Sequence, residues 1–190
     1  MKAVNQLEIK TGRFGQILVS KDEMISIPGG VLGFPELTEY ILVDPNDDTL
    51  MLWLQSTQKS EIAFAVLEPK IFRPDYSVRL SAAELRELKL SNINQSAVFS
   101  ILTIPEDIAL MTANLKAPLV INLKEQIAKQ VVLQENEYSI KHPMFKELKS
   151  HLITIASNQS SSPKSSSSAQ TAVVTVRDLS PSLAVRSLQA

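Results

Sequence analysis

The strongest constraint on this chain is the rhythm of its apolar residues. Short alternating runs recur through the first 156 residues, separated by turn formers such as Gly12, Gly15, Pro28, Gly29, Gly30, Gly33 and Pro45. A period of two places successive side chains on opposite faces of a sheet, so such runs read as strands. The expected strands are Gln16–Ser20, Met24–Ile27, Glu39–Val43, Leu50–Gln55, Ile62–Leu67, Ala97–Ile104, Leu119–Leu123, Ile127–Leu133 and Tyr138–Ile140. In Ile62–Leu67, bulky Ile62, Phe64 and Val66 alternate with Ala63 and Ala65, giving one face suited to a core and one open to close approach. Helix signals are few. Ser81 and Glu84 form a capping box ahead of a helix over Ala82–Leu90, and a second short helix is expected from Pro143 to Leu148 or beyond. Strands that outnumber helices and do not alternate with them argue against a parallel α/β sheet. The expected class is mainly β: an antiparallel β-barrel or sandwich-like single domain with one or two short helices.

The rhythm stops near Ser157. Residues 157–170, SNQSSSPKSSSSAQ, hold eight serines and no large apolar side chain. Such a segment cannot bury enough surface to offset its chain entropy and reads as a flexible linker. Residues 171–190 regain Val173, Val174, Val176, Leu179, Leu183, Val185 and Leu188 but are too few for a domain. They read as a disordered tail that could carry a short docking segment. The division is therefore 1–156 folded, 157–170 linker and 171–190 tail. The first part carries 16 Lys and Arg against 19 Asp and Glu, whereas the remainder carries 3 basic residues against 1 acidic.

Most chemistries find no support in the sequence. There is no cysteine, which removes disulfides, thiolate catalysis and sulfur-ligated metals. His142 and His151 have no acidic cluster beside them, and no Gly-x-Ser-x-Gly, Walker or Gly-x-Gly-x-x-Gly motif follows a strand. Acid pairs such as Asp47–Asp48 and Glu106–Asp107 lie in polar segments, where nothing separates their pKa values. No catalytic residue, metal site or cofactor is expected. The N-terminus lacks the apolar stretch of a signal peptide, and no run approaches the roughly 20 residues of a membrane span. A net charge of −1 gives no overall attraction to nucleic acid. These readings point to a cytoplasmic binding protein, monomeric when free. One local charge feature stands out. Between Lys21 and Lys59 there is no basic residue, while Asp22, Glu23, Glu36, Glu39, Asp44, Asp47 and Asp48 all fall in that interval.

Three blocks, in their order and spacing, resemble one family. The first is Ile27-Pro28-Gly29-Gly30-Val31-Leu32-Gly33-Phe34-Pro35-Glu36. The second is Trp53-Leu54-Gln55-Ser56, followed by Ala63-Phe64, Pro69 and Pro74-Asp75-Tyr76. The third is Thr103-Ile104-Pro105, then Met111-Thr112-Ala113-Asn114-Leu115-Lys116-Ala117-Pro118-Leu119-Val120-Ile121-Asn122, then Lys129-Gln130-Val131-Val132-Leu133. Together they span about residues 7–143 and resemble the flagellar assembly factor FliW. The Ser-rich tail has no counterpart in that pattern.

The resemblance implies a partner switch without catalysis. FliW-like proteins bind newly made flagellin in the cytoplasm, and they also bind the RNA-binding regulator CsrA and relieve its repression of flagellin translation. Since such a regulator carries basic surface, Glu36, Glu39, Asp44, Asp47 and Asp48 are the expected acidic contact face. Flagellin's amphipathic ends call for apolar anchors, for which Met111, Leu115 and Pro118, with Leu32 and Phe34, are candidates. The plainer reading is that Met111 and Leu115 are core and Pro118 starts a strand, and Asn114 and Lys116 are the polar candidates of the same block. Two rival readings stay open: a dedicated flagellin chaperone without a regulatory partner, and a small-molecule-binding barrel or hydrolase.

Overall fold

The computed structural model describes residues 6–46, 49–134 and 137–150. The expectations placed on Asp47, Asp48, His151, the linker and the tail lie outside the described residues. Eleven strands are found among them. β1 (Gln6–Thr11) and β2 (Gly15–Ser20) form an antiparallel hairpin by themselves. The rest are β3 (Ile25–Ser26), β4 (Glu39–Val43), β5 (Leu52–Ser56), β6 (Ala63–Leu67), β7 (Ala97–Thr103), β8 (Thr112–Ala113), β9 (Leu119–Asn122), β10 (Ile127–Gln130) and β11 (His142–Pro143).

Seven of these close on themselves, because the order β7-β6-β5-β4-β3-β10-β9 is completed by a further pairing of β7 with β9. Closure leaves no open edge in the ring. Six of the junctions are antiparallel, as expected, and one is not: β3 meets β10 in parallel through Ser26 and Ile127. The Ser26 amide donates to the Gln126 carbonyl there at 2.8 Å. β8 and β11 continue outward from the end of β7 as short additions.

The barrel interior is mostly aliphatic, and its buried members include Tyr40, Leu42, Leu54, Val66, Phe99, Leu119, Ile121 and Ala128. Ile62, Phe64 and Val66 do face this interior, and Ala65 faces outward. The outside of the wall is also covered. The β1–β2 hairpin lays Ile9, Ile17 and Val19 on Ile41 and Val43 of β4. Tyr40 to Val43 are consequently all buried, so β4 shows no in–out alternation. On the opposite side, Leu67 and Val120 are covered by Phe72, Tyr76, Leu88, Leu115, Leu133, Tyr138 and Met144. Burial of each such side chain contributes roughly 1.5–3 kcal/mol.

The capping box is present: the Ser81 side chain accepts from the Glu84 amide, and the Glu84 carboxylate accepts from the Ser81 amide. The helix it starts, α1 (Ala82–Glu87), is shorter than expected, because Lys89 turns to positive φ and Asn122 captures the Leu88 and Lys89 carbonyls. Residues 145–150 are helical, close to the second expected helix. No helix among the described residues is long and apolar enough to cross a membrane. One expected strand is not one. Tyr138–Ile140 lies outside any ladder because the Ser139 carbonyl accepts from both the Leu115 and Lys116 amides, which fixes it as a clasp. Tyr138 itself is held by its hydroxyl, which accepts from the Ser77 amide. Its ring lies 4.7 Å from that of Tyr76, whose hydroxyl donates to the Leu115 carbonyl.

Candidate protein-binding surface

The glycine block closes one end of the barrel. The Ile27 amide donates to the Thr38 carbonyl, Gly30 to Ile27, Phe34 to Val31 and Leu37 to Phe34, which winds residues 27–38 into a compact loop. Val31 and Leu37 point into the barrel core, and the Phe34 ring stands edge-on to Phe64 at 5.4 Å. With Val31 turned inward, Leu32 is turned outward and is 59% exposed. Phe34, a candidate anchor, is partly buried and belongs chiefly to the packing.

Gln130 joins this loop to the third block. Its Oε1 accepts from the Leu32 amide at 2.9 Å, and its Nε2 donates to the Ala117 carbonyl at 2.9 Å. The Lys116 carbonyl in turn accepts from the Leu133 amide, which leaves the intervening Val132 exposed. Leu32 and Val132 thus stand on one surface whose backbone is tied together by a single glutamine. Sequence reasoning did not single out Gln130 or Val132. Only the alternation of buried Val131 and Leu133 about Val132 could have marked it.

Residues 111–117 alternate strictly. Met111, Ala113, Leu115 and Ala117 are buried, while Thr112, Asn114 and Lys116 are half-buried. Met111 and Leu115 are therefore core residues of the outer layer rather than exposed anchors, and Pro118 is buried with them. The Asn114 Oδ1 accepts from the Ala117 amide at 2.9 Å, so this side chain shapes the turn into β9.

The acidic candidates divide. Glu36 and Glu39 are exposed near the barrel end closed by the glycine loop, whereas Asp44 follows the far end of β4, roughly 17 Å away at the rise of a strand. Asp44 accepts from the Asn46 amide at 2.8 Å in a local turn. The structure therefore does not gather these residues into one face. Glu36 pairs with Lys59 at 3.4 Å, so part of its charge is answered locally. Its own backbone amide, with help from Lys59, holds the Glu36 carboxyl below the ordinary range. Burial and the nearby Glu36 charge push the Tyr40 hydroxyl up to about 12.

A second apolar surface lies in the β7–β8 connection. Ile104, Ile108 and Leu110 are exposed within one short loop, in which the Asp107 side chain accepts from the Ala109 amide. No group of three or more His, Cys, Asp and Glu residues that could hold a metal ion is found among the described residues. His142 stacks on Phe72 and hydrogen-bonds Glu147 at 3.0 Å, which ties β11 to the helical residues 145–150.

This arrangement of loop, barrel and signature block has known relatives. The family described as FliW protein matches residues 8–144 of the chain. The chain belongs to the FliW family. The flagellar assembly factor FliW of Bdellovibrio bacteriovorus is 41% identical over 145 residues, covering 76% of this chain and 83% of that protein. That of Thermoanaerobacter pseudethanolicus is 38% identical and is covered over 96% of its length. A crystal structure of the flagellar assembly factor FliW superposes with a TM-score of 0.69 at 30% identity, covering 73% of this chain and 97% of that one. The FliW match ends at residue 144, ahead of the helical residues 145–150, and residues 157–190 lie beyond it. Within it, the family blocks serve first as structure: the glycine loop plugs the barrel, Gln55 ties the β5–β6 turn, and the 111–118 block roofs the outer core.

Proposed function

We propose that this flagellar assembly factor acts in the cytoplasm as a rigid surface for two protein partners, binding flagellin and, in antagonism to it, a CsrA-like RNA-binding regulator. No catalysis enters this reading. It needs two complexes that exclude each other, so that free flagellin decides how much regulator is held. The observation that carries the reading is the Leu32–Val132 surface. Two aliphatic side chains stand out from a loop and a strand end that Gln130 and the barrel hold fixed. Such a surface suits the apolar face of an amphipathic segment at little ordering cost. Glu36 and Glu39 beside it suit a basic partner, and their effect belongs to the association rate. Asp44 is kept as a separate acidic contribution, and Asp47 and Asp48 remain proposed contacts of the regulator.

The test is binding of the full chain to purified flagellin and to purified CsrA-like regulator, separately and in competition. Added flagellin is expected to release the regulator. Leu32→Ser with Val132→Ser should weaken flagellin binding, while Glu36→Lys with Glu39→Lys should slow regulator association roughly tenfold at low salt and little at high salt. Capture of flagellin without any regulator complex would leave the dedicated chaperone. Capture of neither overturns the proposal.

A further inference from the structure

The β7–β8 loop is left unabsorbed by the reading above. Residues 104–110 read IPEDIAL, with Ile104 at 40%, Ile108 at 55% and Leu110 at 67% exposure. Exposed aliphatic side chains this close together on one loop mark a contact surface. Glu106 and Asp107 sit between them, also exposed. Two features of the chain say what fits there. The described fold ends beside this loop: the Met144 amide donates to the Met111 carbonyl at 3.3 Å, one residue from Leu110, and the helical residues 145–150 follow directly. The remaining chain then carries the complementary pattern. Val173, Val174, Val176 and Leu179 flank Arg177 and Asp178, and Leu183, Val185 and Leu188 flank Arg186, which leaves the segment net basic. A net basic, aliphatic segment answers two carboxylates among aliphatic residues.

The reach is sufficient. A coil of 23 residues, the separation of Ser150 from Val173, spans roughly 24–29 Å root-mean-square. Met144 is hydrogen-bonded next to the loop and the six helical residues after it rise only about 9 Å, so tethering gives a millimolar effective concentration that a free peptide would lack.

We propose that residues 173–188 dock back onto the surface formed by Ile104, Ile108 and Leu110, with Arg177 and Arg186 against Glu106 and Asp107. The tail is then an intramolecular occupant of this face. Its consequence, that a protein partner using the face must displace the tail, rests on the function proposed above; the docking itself does not.

The absence of cysteine makes the test direct. Ser187→Cys in the full chain gives a single thiol for a nitroxide label, and amide resonances are compared with the label oxidised and reduced. The expected result is a several-fold loss of intensity confined to residues 104–110 and their neighbours, unchanged on dilution. It should disappear in Ile108→Ser with Leu110→Ser and weaken in Glu106→Lys with Asp107→Lys. Uniform intensities, loss centred on Leu32 and Val132, or loss that vanishes on dilution each overturn the proposal. None of these readouts involves flagellin or a regulator, so the docking can fail while partner binding stands, and the reverse.

Discussion

At Gly30 one hydrogen separates the loop from a collision. Its φ is +63°, and an added Cβ would lie 2.2 Å from the Phe34 carbonyl oxygen and 2.7 Å from the Pro35 Cα, both backbone atoms that cannot swing aside. Its neighbour Gly29 has ordinary φ and open space around the same position. Gly30→Ala should therefore cost about 2 kcal/mol or more, from left-handed strain plus the displaced loop, while Gly29→Ala stays within about 0.5 kcal/mol. Urea midpoints of the two variants check this, and equal midpoints would remove the loop from the list of strained sites. The sequence marked the pair as a tight turn but could not tell which glycine was irreplaceable, because that depends on which backbone folds over it. The same holds for the anchors. Met111 and Leu32 look alike as apolar residues in family blocks, yet the first is sealed under the outer layer and the second faces solvent. Alternation about residues 111–117 carried that information only once the buried face was known.

At the level of elements, local signals were readable where they are closed within a few residues. The capping box of α1 is such a case, since Ser81 and Glu84 need only each other. Burial would raise the Glu84 carboxyl, but the hydrogen bonds from the Ser81 side chain and backbone outweigh it and set it below its ordinary 4.5. A lowered folded value means that this contribution is complete above the unfolded value and fades as pH falls through the folded one. Ser81→Ala is expected to lower stability by about 1 kcal/mol at neutral pH, and by less once Glu84 is protonated. Urea unfolding of the parent and the variant at neutral pH and well below pH 4.5 would show the gap narrowing; a gap that widens in acid contradicts the assignment. Elements defined by distant partners were less legible. β8 is two residues long and exists because Ala113 and Thr112 meet Leu102 and Thr103 on one side and His142 and Pro143 on the other. Ser139 fails to be a strand for the converse reason, its carbonyl being claimed by the 115–116 backbone.

Considered as a whole, the molecule was legible as mainly β with few helices, because period-two patterning reflects burial on one face. The ring closure was not, since it depends on β7 and β9 meeting around the barrel and on one parallel residue pair between β3 and β10. β4 shows the limit of patterning: covered on both faces, it reads as a continuous apolar run, and nothing local names its two covers. One of those covers, the β1–β2 hairpin, has no ladder to the barrel and is held through the small cluster around Ile9, Ile17, Val19, Ile41 and Val43. Arg13 at its tip lies 3.8 Å over the Trp53 ring, with Phe14 edge-on at 6.2 Å. A unit joined to the barrel by side-chain packing and one backbone hydrogen bond, from the Gly12 amide to the Ser60 carbonyl, can open without breaking the ring, whereas β4, β5 and β6 are hydrogen-bonded on both sides and open only with it. Native-state hydrogen exchange should then show Leu7 to Val19 exchanging through an opening of lower free energy than Ile41, Leu54 and Val66. Arg13→Ala should lower the hairpin's protection further, by about 0.5–1 kcal/mol, without changing that of β5. Equal protection in hairpin and barrel would mean that the two open together, and that the hairpin belongs to the cooperative unit despite having no ladder to the ring.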